Sequence, residues 1–248
     1  MKQPHFFALI IGTEILNGRR NDKHFEFLRQ TLAQYGQQLK GSFVIEDDPQ
    51  LIVQMIQCIT AQPNAVLFSF GGIGSTPDDC TRQAAATALS DGKLYPHETA
   101  QQIIQERFGA SPIPAYAQAM GEFPKDAKIL ENPVNKMPAF YLEDRYFFMP
   151  GFPSMSHPMV VHIMQTYFHE KKELYRYTLT ALCKESQLIE TMQQLPKGVE
   201  LSSLPKFYND GWKVIISVAS EDQALAQESF ALFENALQAM QIYYSLGE

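Results

Sequence analysis

A glycine-rich segment at residues 70–81, with the sequence FGGIGSTPDDCT, carries the clearest indication of chemistry in the chain. It follows a continuous apolar run and precedes a segment of helical composition. Glycines let a ligand approach the backbone, and free N–H groups at the start of a helix favour a phosphate. Asp78 or Asp79 would complement the helix dipole or hold a divalent ion that bridges to the phosphate. The plain alternative is a glycine-rich turn, but two carboxylates and three nearby hydroxyls favour a ligand site.

A second polar segment, residues 12–22 (GTEILNGRRND), directly follows the first apolar run. Glu14 lies between apolar residues, so we expect it to be buried and to bond a ligand hydroxyl or base edge. Arg19 or Arg20 could pair with a phosphate, but a solvated loop explains the two arginines equally well. Ligands of open parallel sheets bind beyond the carboxyl ends of the strands, so this segment and the glycine-rich segment are predicted to face one crevice.

Two shorter segments are predicted to lie beside the same crevice. Asp47 and Asp48 follow the second strand, where a helix-capping pair and a ligand site are equally good interpretations. Residues 149–155 (MPGFPSM) form another strand-to-helix turn, which could close the pocket. The methionines and aromatic residues between Tyr141 and Phe168 are expected in the core.

Composition excludes several classes of protein. The 248 residues are 45% hydrophobic and carry a formal net charge of −7, which argues against disorder and against sequence-independent binding of nucleic acid. No apolar run reaches the roughly 18–20 residues that span a bilayer, and no cleavage site follows the N-terminus. Three scattered cysteines indicate a reducing compartment. A soluble cytoplasmic protein without nucleic-acid or membrane partners is therefore expected.

Residues 6–89 alternate between predicted strands and helices, which indicates a mostly parallel sheet with helices on both faces. Residues 91–138 are interrupted by prolines and are predicted to be a loop-rich excursion over the strand ends. Pro77 is expected in the first turn of a helix that reaches Leu89. The predicted strands are 6–11, 39–45, 65–70, 139–142 and 145–149, the last two forming a hairpin that turns at Glu143-Asp144. The predicted helices are 22–35, 49–59, 79–89, 98–108 and about 153–169.

A polar stretch at residues 169–173 lacks core positions and marks the predicted domain boundary, which divides the chain into 1–170 and 171–248. The second part is predicted as a β-α-β-β-α unit, complete enough to form a small subdomain. Its predicted elements are a strand at 174–182, a helix at 185–194, strands at 199–204 and 212–219, and a helix at 221–240.

These segments, in this order, resemble the molybdopterin-binding (MoaB/Mog-like) domain family. The resemblance rests on residues 12–18, Asp22, Asp47, residues 71–81 and residues 150–153. It is greatest to the N-terminal part of competence/damage-inducible protein A, the CinA-like branch. It implies a three-layer α/β/α sandwich followed by the small α/β domain of that branch. It also implies a stand-alone form without the nicotinamide-mononucleotide deamidase domain, so no deamidase activity is expected.

The resemblance also implies roles for individual residues. Asp47 and Asp79 match the functional acids of the molybdopterin adenylyltransferase branch and are expected to be catalytic. A divalent ion, Mg²⁺, Mn²⁺ or Co²⁺, is expected on Asp47, Asp78 and Asp79, and molybdopterin is a candidate ligand. The expected substrate-binding residues are Gly12, Thr13, Glu14, Asp22, Gly71, Gly72, Gly74, Ser75, Thr76, Thr81, Pro150 and Gly151.

Three functions are compatible with the sequence. The CinA-like branch is associated with metal-dependent cleavage of ADP-ribose-type pyrophosphates, and a similar domain of FAD synthase with FAD hydrolysis, so the resemblance implies a nucleotide pyrophosphatase. The alternative is a protein that binds molybdopterin or a nucleotide without turnover, related to molybdenum cofactor biosynthesis. The third is a non-catalytic scaffold. Relatives of the domain self-associate, which implies a homo-oligomer, either a dimer or a trimer.

The chain departs from the CinA-like pattern at three places. Thr13 stands where Asp is usual, Lys23-His24 replaces a common Thr-Asn, and Ser75 replaces a frequent Pro. The carboxylate missing at Thr13 bears on how many metal ions such a site could hold.

Overall fold

Two compact units make up the chain in a computed structural model that describes residues 3–208 and 211–247. Residues up to Lys171 belong to the first unit and residues from Lys172 onward to the second. Each unit has its own cluster of buried apolar side chains. No helix within the described ranges is long and apolar enough to cross a membrane.

From residue 3 onward, the first unit contains eight strands. They are β1 (His5–Ile11), β2 (Leu39–Ile45), β3 (Ala65–Phe70), β4 (Leu94–Pro96), β5 (Glu122–Pro124), β6 (Lys128–Leu130), β7 (Ala139–Leu142) and β8 (Tyr146–Met149). Six of them form one sheet in the order β2-β1-β3-β8-β7-β6, and β4 pairs with β5 separately. Strands β2, β1, β3 and β8 run parallel, whereas β7 is antiparallel to both of its neighbours.

The same described part of the first unit also contains seven helices. They are α1 (Thr13–Leu16), α2 (His24–Ala33), α3 (Pro49–Thr60), α4 (Thr81–Leu89), α5 (Glu98–Phe108), α6 (Ala115–Ala119) and α7 (Pro153–Tyr167). The connection from β1 to β2 and the connection from β2 to β3 run in opposite directions across the sheet. Right-handed crossovers therefore put α2 and α3 on opposite faces. Helix α7 contacts α2, and α4 contacts α3, which completes the predicted three-layer sandwich.

Local chemistry explains why several predicted elements are confirmed. All six residues of β3 are buried, as expected of a strand covered on both faces. Asp48 caps α3 by accepting a hydrogen bond from the Leu51 N–H at 2.7 Å, and Pro49 occupies the first turn. Glu143 and Asp144 adopt positive φ values of 53° and 54°, the backbone of a tight hairpin turn between β7 and β8.

The start of α4 is a correction to the sequence prediction. The helix begins at Thr81, so Pro77 lies outside it. The preceding chain instead forms a turn in which the Asp79 N–H bonds to the Thr76 carbonyl oxygen at 2.9 Å. The Thr81 N–H then bonds to the Gly72 carbonyl oxygen, also at 2.9 Å, which folds the glycine-rich segment back on the helix start.

The second unit is an antiparallel sheet with two helical segments. Its elements are β9 (Tyr175–Ala181), a 3₁₀ turn (Glu185–Leu188) that leads into α8 (Ile189–Gln193), β10 (Glu200–Tyr208), β11 (Gly211–Ser220), α9 (Gln223–Ala239) and β12 (Tyr244–Leu246). The strand order is β10-β11-β9-β12. The predicted β-α-β-β-α pattern is confirmed, and β12 is an additional edge strand paired with β9.

Candidate functional site

A cleft of about 430 Å³ opens at the carboxyl ends of the parallel strands in the first unit. The segments that follow β1, β2, β3 and β8 all contribute to its lining. This is the location expected of a ligand site in an open parallel sheet. The predicted site residues that line the cleft are Glu14, Asp47, Gly71, Gly72, Gly74, Ser75, Thr76, Asp78, Asp79, Pro150 and Gly151.

Four predicted site residues are not among those that line the cleft, namely Gly12, Thr13, Asp22 and Thr81. Asp22 accepts hydrogen bonds from the His24 N–H at 2.8 Å and the Phe25 N–H at 3.0 Å, which fixes the start of α2. Thr81 is fully buried at the start of α4. Asp22 and Thr81 thus contribute to local structure beside the cleft.

The glycine-rich loop packs against its neighbours at two backbone positions that leave no room for a side chain. Gly71 has a φ of +104°, and a Cβ there would lie 2.3 Å from the Ile11 carbonyl oxygen. At Gly72, with φ +69°, a Cβ would lie 2.2 Å from the Thr81 Oγ1. No side chain other than hydrogen fits at these two positions, so the backbone itself forms the cleft wall.

Asp79 closes the rest of this loop. Its Oδ2 accepts hydrogen bonds from the Thr76 N–H at 2.8 Å and the Thr76 hydroxyl at 2.5 Å. The other oxygen, Oδ1, has no hydrogen-bond donor among the residues the structure describes. Asp78 is exposed beside it. One carboxylate oxygen thus shapes the loop while the second is available in the cleft.

Asp47 is clamped by Thr13 from the neighbouring strand end. The Asp47 Oδ2 accepts from the Thr13 N–H at 2.8 Å and from the Thr13 hydroxyl at 2.9 Å. The Asp47 N–H is 3.2 Å from the same hydroxyl oxygen. Of the two adjacent aspartates, Asp48 caps α3 and Asp47 lines the cleft.

The carboxylates near Cys80 create a negative environment. Burial raises the pKa of the Cys80 thiol, and the charge of Asp47 raises it further, with smaller contributions from Asp48 and Asp79. Within residues 3–208 and 211–247, however, no three His, Cys, Asp or Glu side chains meet as a metal site. Asp47 and Asp79 each keep one carboxylate oxygen, Oδ1, without a hydrogen-bond donor among the described residues, because the bonds that they accept all go to Oδ2.

Arg20, not Arg19, reaches the cleft. Its Nη2 donates to the Gly151 carbonyl oxygen at 2.8 Å, and its Nη1 lies 3.4 Å from the Glu14 Oε1. The guanidinium also sits 5.4 Å from the centre of the Phe152 ring. The Glu14 side chain is 38% exposed, so the expectation that it is buried was wrong. It lies in a helical turn at the cleft rim, where Arg20 neutralises its charge.

Sequence reasoning missed Arg82, which is buried below the glycine-rich loop. Its Nη2 donates to the Gly74 carbonyl oxygen at 2.8 Å, and its Nη1 donates to the Ala119 carbonyl oxygen at the end of α6. Burial lowers the pKa of the guanidinium, and the charge of Asp79 opposes that shift. The only sequence indication was one charged residue at the start of an alanine-rich helix.

The turn at residues 149–155 lines the cleft, where the sequence analysis placed it, and the excursion supplies further lining residues that the sequence did not indicate. Phe152 and Met155, expected in the core, line the cleft, and Phe152 is exposed. No periodicity marked the excursion residues. They are Met120, Asn132, Asn135, Met137 and Pro138.

His24 is buried below the turn that contains Gly151. Its ring stacks on Phe70 with centroids 4.4 Å apart, and its Nε2 lies 3.3 Å from the Gly151 carbonyl oxygen. A carbonyl only accepts, so Nε2 carries the proton and the buried Nδ1, which has no partner among the described residues, does not. Burial lowers the pKa of His24 from 6.5 to about 4, against the opposing charge of Asp22.

The pKa of His24 predicts how stability depends on pH. Between pH 6.5 and 4 the unfolded chain takes up a proton at this histidine before the folded chain does, so stability present above pH 6.5 is lost as the pH falls towards 4. We expect a loss of roughly 3 kcal/mol over this range, measured by urea unfolding at pH 7.5 and 4.5. His24→Gln should reduce the change in the free energy of unfolding between the two pH values, whereas His169→Gln, at an exposed position, should not. The same change in both variants would contradict the role of His24 in this pH dependence.

Comparison with known proteins adds the family context. Residues 7–170 match a family model described as probable molybdopterin binding domain. The chain is 28% identical over 242 residues to a CinA-like protein of Nostoc punctiforme. This match covers 92% of this chain and 57% of the Nostoc protein. It is 23% identical over 235 residues to a protein of Archaeoglobus fulgidus, with 94% and 97% of the two chains covered. The chain thus spans under two thirds of the Nostoc relative.

A solved structure shares the fold. The CinA protein of Thermoplasma acidophilum, described as having unknown function, superposes with a TM-score of 0.59 at 24% identity. The match covers 66% of this chain and 98% of that one. At this identity the likeness bears on fold alone.

Proposed function

The chain belongs to the family of probable molybdopterin-binding domains, and from that premise we propose that its cleft binds an ADP-ribose- or FAD-type nucleotide diphosphate and hydrolyses the pyrophosphate bond. One observation carries the proposal. Backbone exposed by glycines and two carboxylates, Asp47 and Asp79, meet in a single cleft at the strand ends. Phosphoryl transfer needs charge neutralisation and positioning rather than a side-chain nucleophile, and this site offers both.

The loop supplies the phosphate contacts. Among the residues the structure describes, the N–H groups of Gly72 and Gly74 have no acceptor, and both glycines line the cleft. In the proposed complex they donate to the oxygens of one phosphoryl group. Arg20 at the rim adds positive charge.

The carboxylates account for the proposed metal dependence. Asp47 and Asp79, with Asp78 beside them, would hold a divalent ion such as Mg²⁺, Mn²⁺ or Co²⁺, which neutralises charge on the pyrophosphate. A water molecule adds to one phosphorus atom, the bond from that phosphorus to the bridging oxygen breaks, and the bridging oxygen leaves on the second phosphate. Hydrolysis of ADP-ribose in this way yields AMP and ribose 5-phosphate.

A second candidate is binding of molybdopterin or a nucleotide without turnover, in connection with molybdenum cofactor biosynthesis. The Thr13 clamp favours this alternative because it occupies one oxygen of Asp47. Within the described ranges, Asp47, Asp78 and Asp79 do not converge closely enough to count as a group that could hold a metal ion, which points the same way.

A hydrolysis screen separates the two candidates. Purified protein is incubated with Mg²⁺, Mn²⁺ or Co²⁺ and with ADP-ribose, FAD, NAD or a diadenosine compound, and AMP release is measured. We expect metal-dependent release of AMP from at least one substrate. Tight uptake in calorimetry with every ligand recovered unchanged would instead support the binding protein.

We further propose a homo-oligomer, a dimer or a trimer, and a cytoplasmic location. Cys58, Cys80 and Cys183 are all free thiols, which is consistent with a reducing compartment.

A further inference from the structure

The cleft is lined by two chemically different sets of groups. Glycine backbone and carboxylates form one set, and Met120, Met137, Met155 and Phe152 form the other, the apolar lining. A phosphate chain gains nothing from thioethers and an aromatic ring. Polarisable thioether sulfur atoms make favourable contacts with flat aromatic rings. The apolar lining is therefore suited to a part of the ligand other than its phosphates.

Asn135 adds a side-chain amide next to this apolar lining. Its Oδ1 accepts hydrogen bonds from the Asn132 Nδ2 at 2.8 Å and from the Met137 N–H at 3.0 Å. A backbone N–H can only donate, so the atom that faces it must be the amide oxygen, and the orientation of the Asn135 amide is settled. Asn132 is itself fully buried and holds the Val134 N–H with its own oxygen at 3.1 Å.

The Asn135 Nδ2 is consequently an underused donor. Within residues 3–208 and 211–247, its only acceptor is the Met155 Sδ at 3.5 Å, and a thioether is a weak acceptor. The group carries two hydrogens, so at least one can donate to a ligand in the cleft. The backbone around it is fixed, because the Arg107 Nη1 donates to the Asn135 carbonyl oxygen at 3.2 Å.

We propose that the apolar lining and Asn135 form a subsite for the planar heteroaromatic ring of the ligand. In this subsite Asn135 donates a hydrogen bond to a ring nitrogen or ring carbonyl oxygen. Met120, Met137 and Phe152 provide the apolar surface against the ring, and Asn132 acts as a positioning residue for the Asn135 amide. The inference rests on the proposed function, because it assumes that the ligand carries a phosphate on the glycine-rich loop. It adds that ring-free sugar phosphates are poor ligands.

The test compares dissociation constants for AMP, FMN and ribose 5-phosphate by calorimetry. AMP and FMN carry an adenine ring and a flavin ring, respectively, whereas ribose 5-phosphate carries only the sugar and the phosphate. We expect at least one of the two ring ligands to bind about tenfold or more tightly than ribose 5-phosphate, the effect of one buried hydrogen bond with its apolar contacts.

Two variants locate that preference. Asn135→Asp keeps an oxygen for Asn132 and for the Met137 N–H but removes the donor. The dissociation constant of ribose 5-phosphate divided by that of the tighter ring ligand should therefore fall towards one. Any uniform effect of the added charge cancels in this ratio. Met120→Ala, which adds no charge, should lower the ratio about threefold.

The outcomes separate the subsite from the proposed hydrolysis. Equal affinity of the wild-type protein for all three ligands, or a ratio unchanged in both variants, would overturn the ring subsite and leave the phosphate site standing. A ring preference that both variants reduce would support the subsite even if no substrate is hydrolysed. Binding of none of the three ligands would overturn the subsite together with the phosphate site.

Discussion

AMP release from ADP-ribose is expected to fall at least about a hundredfold in Asp79→Asn, while the protein stays folded. The amide oxygen of Asn can replace the Asp79 Oδ2 as acceptor for the Thr76 N–H and hydroxyl, so the loop keeps its shape. What disappears is the negative charge in the cleft, on which cation binding and charge neutralisation depend. Initial rates and melting temperatures of the parent and the variant provide the measurement.

Asp48→Asn is the matched control for that experiment. Asp48 carries the same charge near the same strand ends, but it caps α3 and does not line the cleft. Because Asn caps helices as well as Asp, the substitution should leave both stability and AMP release close to the parent values. A similar loss of activity in both variants would indicate a general effect of charge, and parental activity in Asp79→Asn would refute the role of Asp79.

Gly71→Ala is expected to destabilise the protein by roughly 3–5 kcal/mol. Two causes add here. The φ of +104° is strained for any residue with a Cβ, and the new carbon would lie 2.3 Å from the Ile11 carbonyl oxygen. That oxygen belongs to the backbone of a buried strand and cannot rotate away. The midpoint of urea unfolding measures the change.

Gly92→Ala separates strain from close contact. Gly92 has a φ of +80°, but nothing lies within 4 Å of a Cβ built there. Only the conformational strain is then introduced, and the expected destabilisation is about 1–2 kcal/mol. If Gly71→Ala and Gly92→Ala prove equally destabilising, the close approach of β1 to the glycine-rich loop contributes nothing.

The sheet and the glycine-rich loop could be predicted because the residues that specify each of them are close together in the sequence. A run of six residues with five apolar side chains, such as Ala65–Phe70, is sufficient to indicate a buried strand. The order of strands and helices then brings their carboxyl ends together. Glycines beside carboxylates at those ends identify the loop as a candidate site without any knowledge of distant contacts.

The rest of the site depends on distant contacts that leave no local pattern. Strands β4, β5 and β6 have three residues each, too few to show an alternation of buried and exposed side chains. The Thr13–Asp47 clamp joins residues 34 positions apart. The amide orientation of Asn135 depends on Asn132 and on the Met137 backbone, so its availability is visible only in three dimensions.

The position of Arg82 has a consequence for how the first unit opens. One guanidinium holds the Gly74 carbonyl oxygen of the glycine-rich loop and the Ala119 carbonyl oxygen of the excursion. If either segment detaches, the buried cation loses an acceptor, and leaving a buried charge incompletely paired costs several kcal/mol. Local unfolding of one segment therefore favours release of the other. Arg82 makes two stretches of chain with little regular structure into a single cooperative unit.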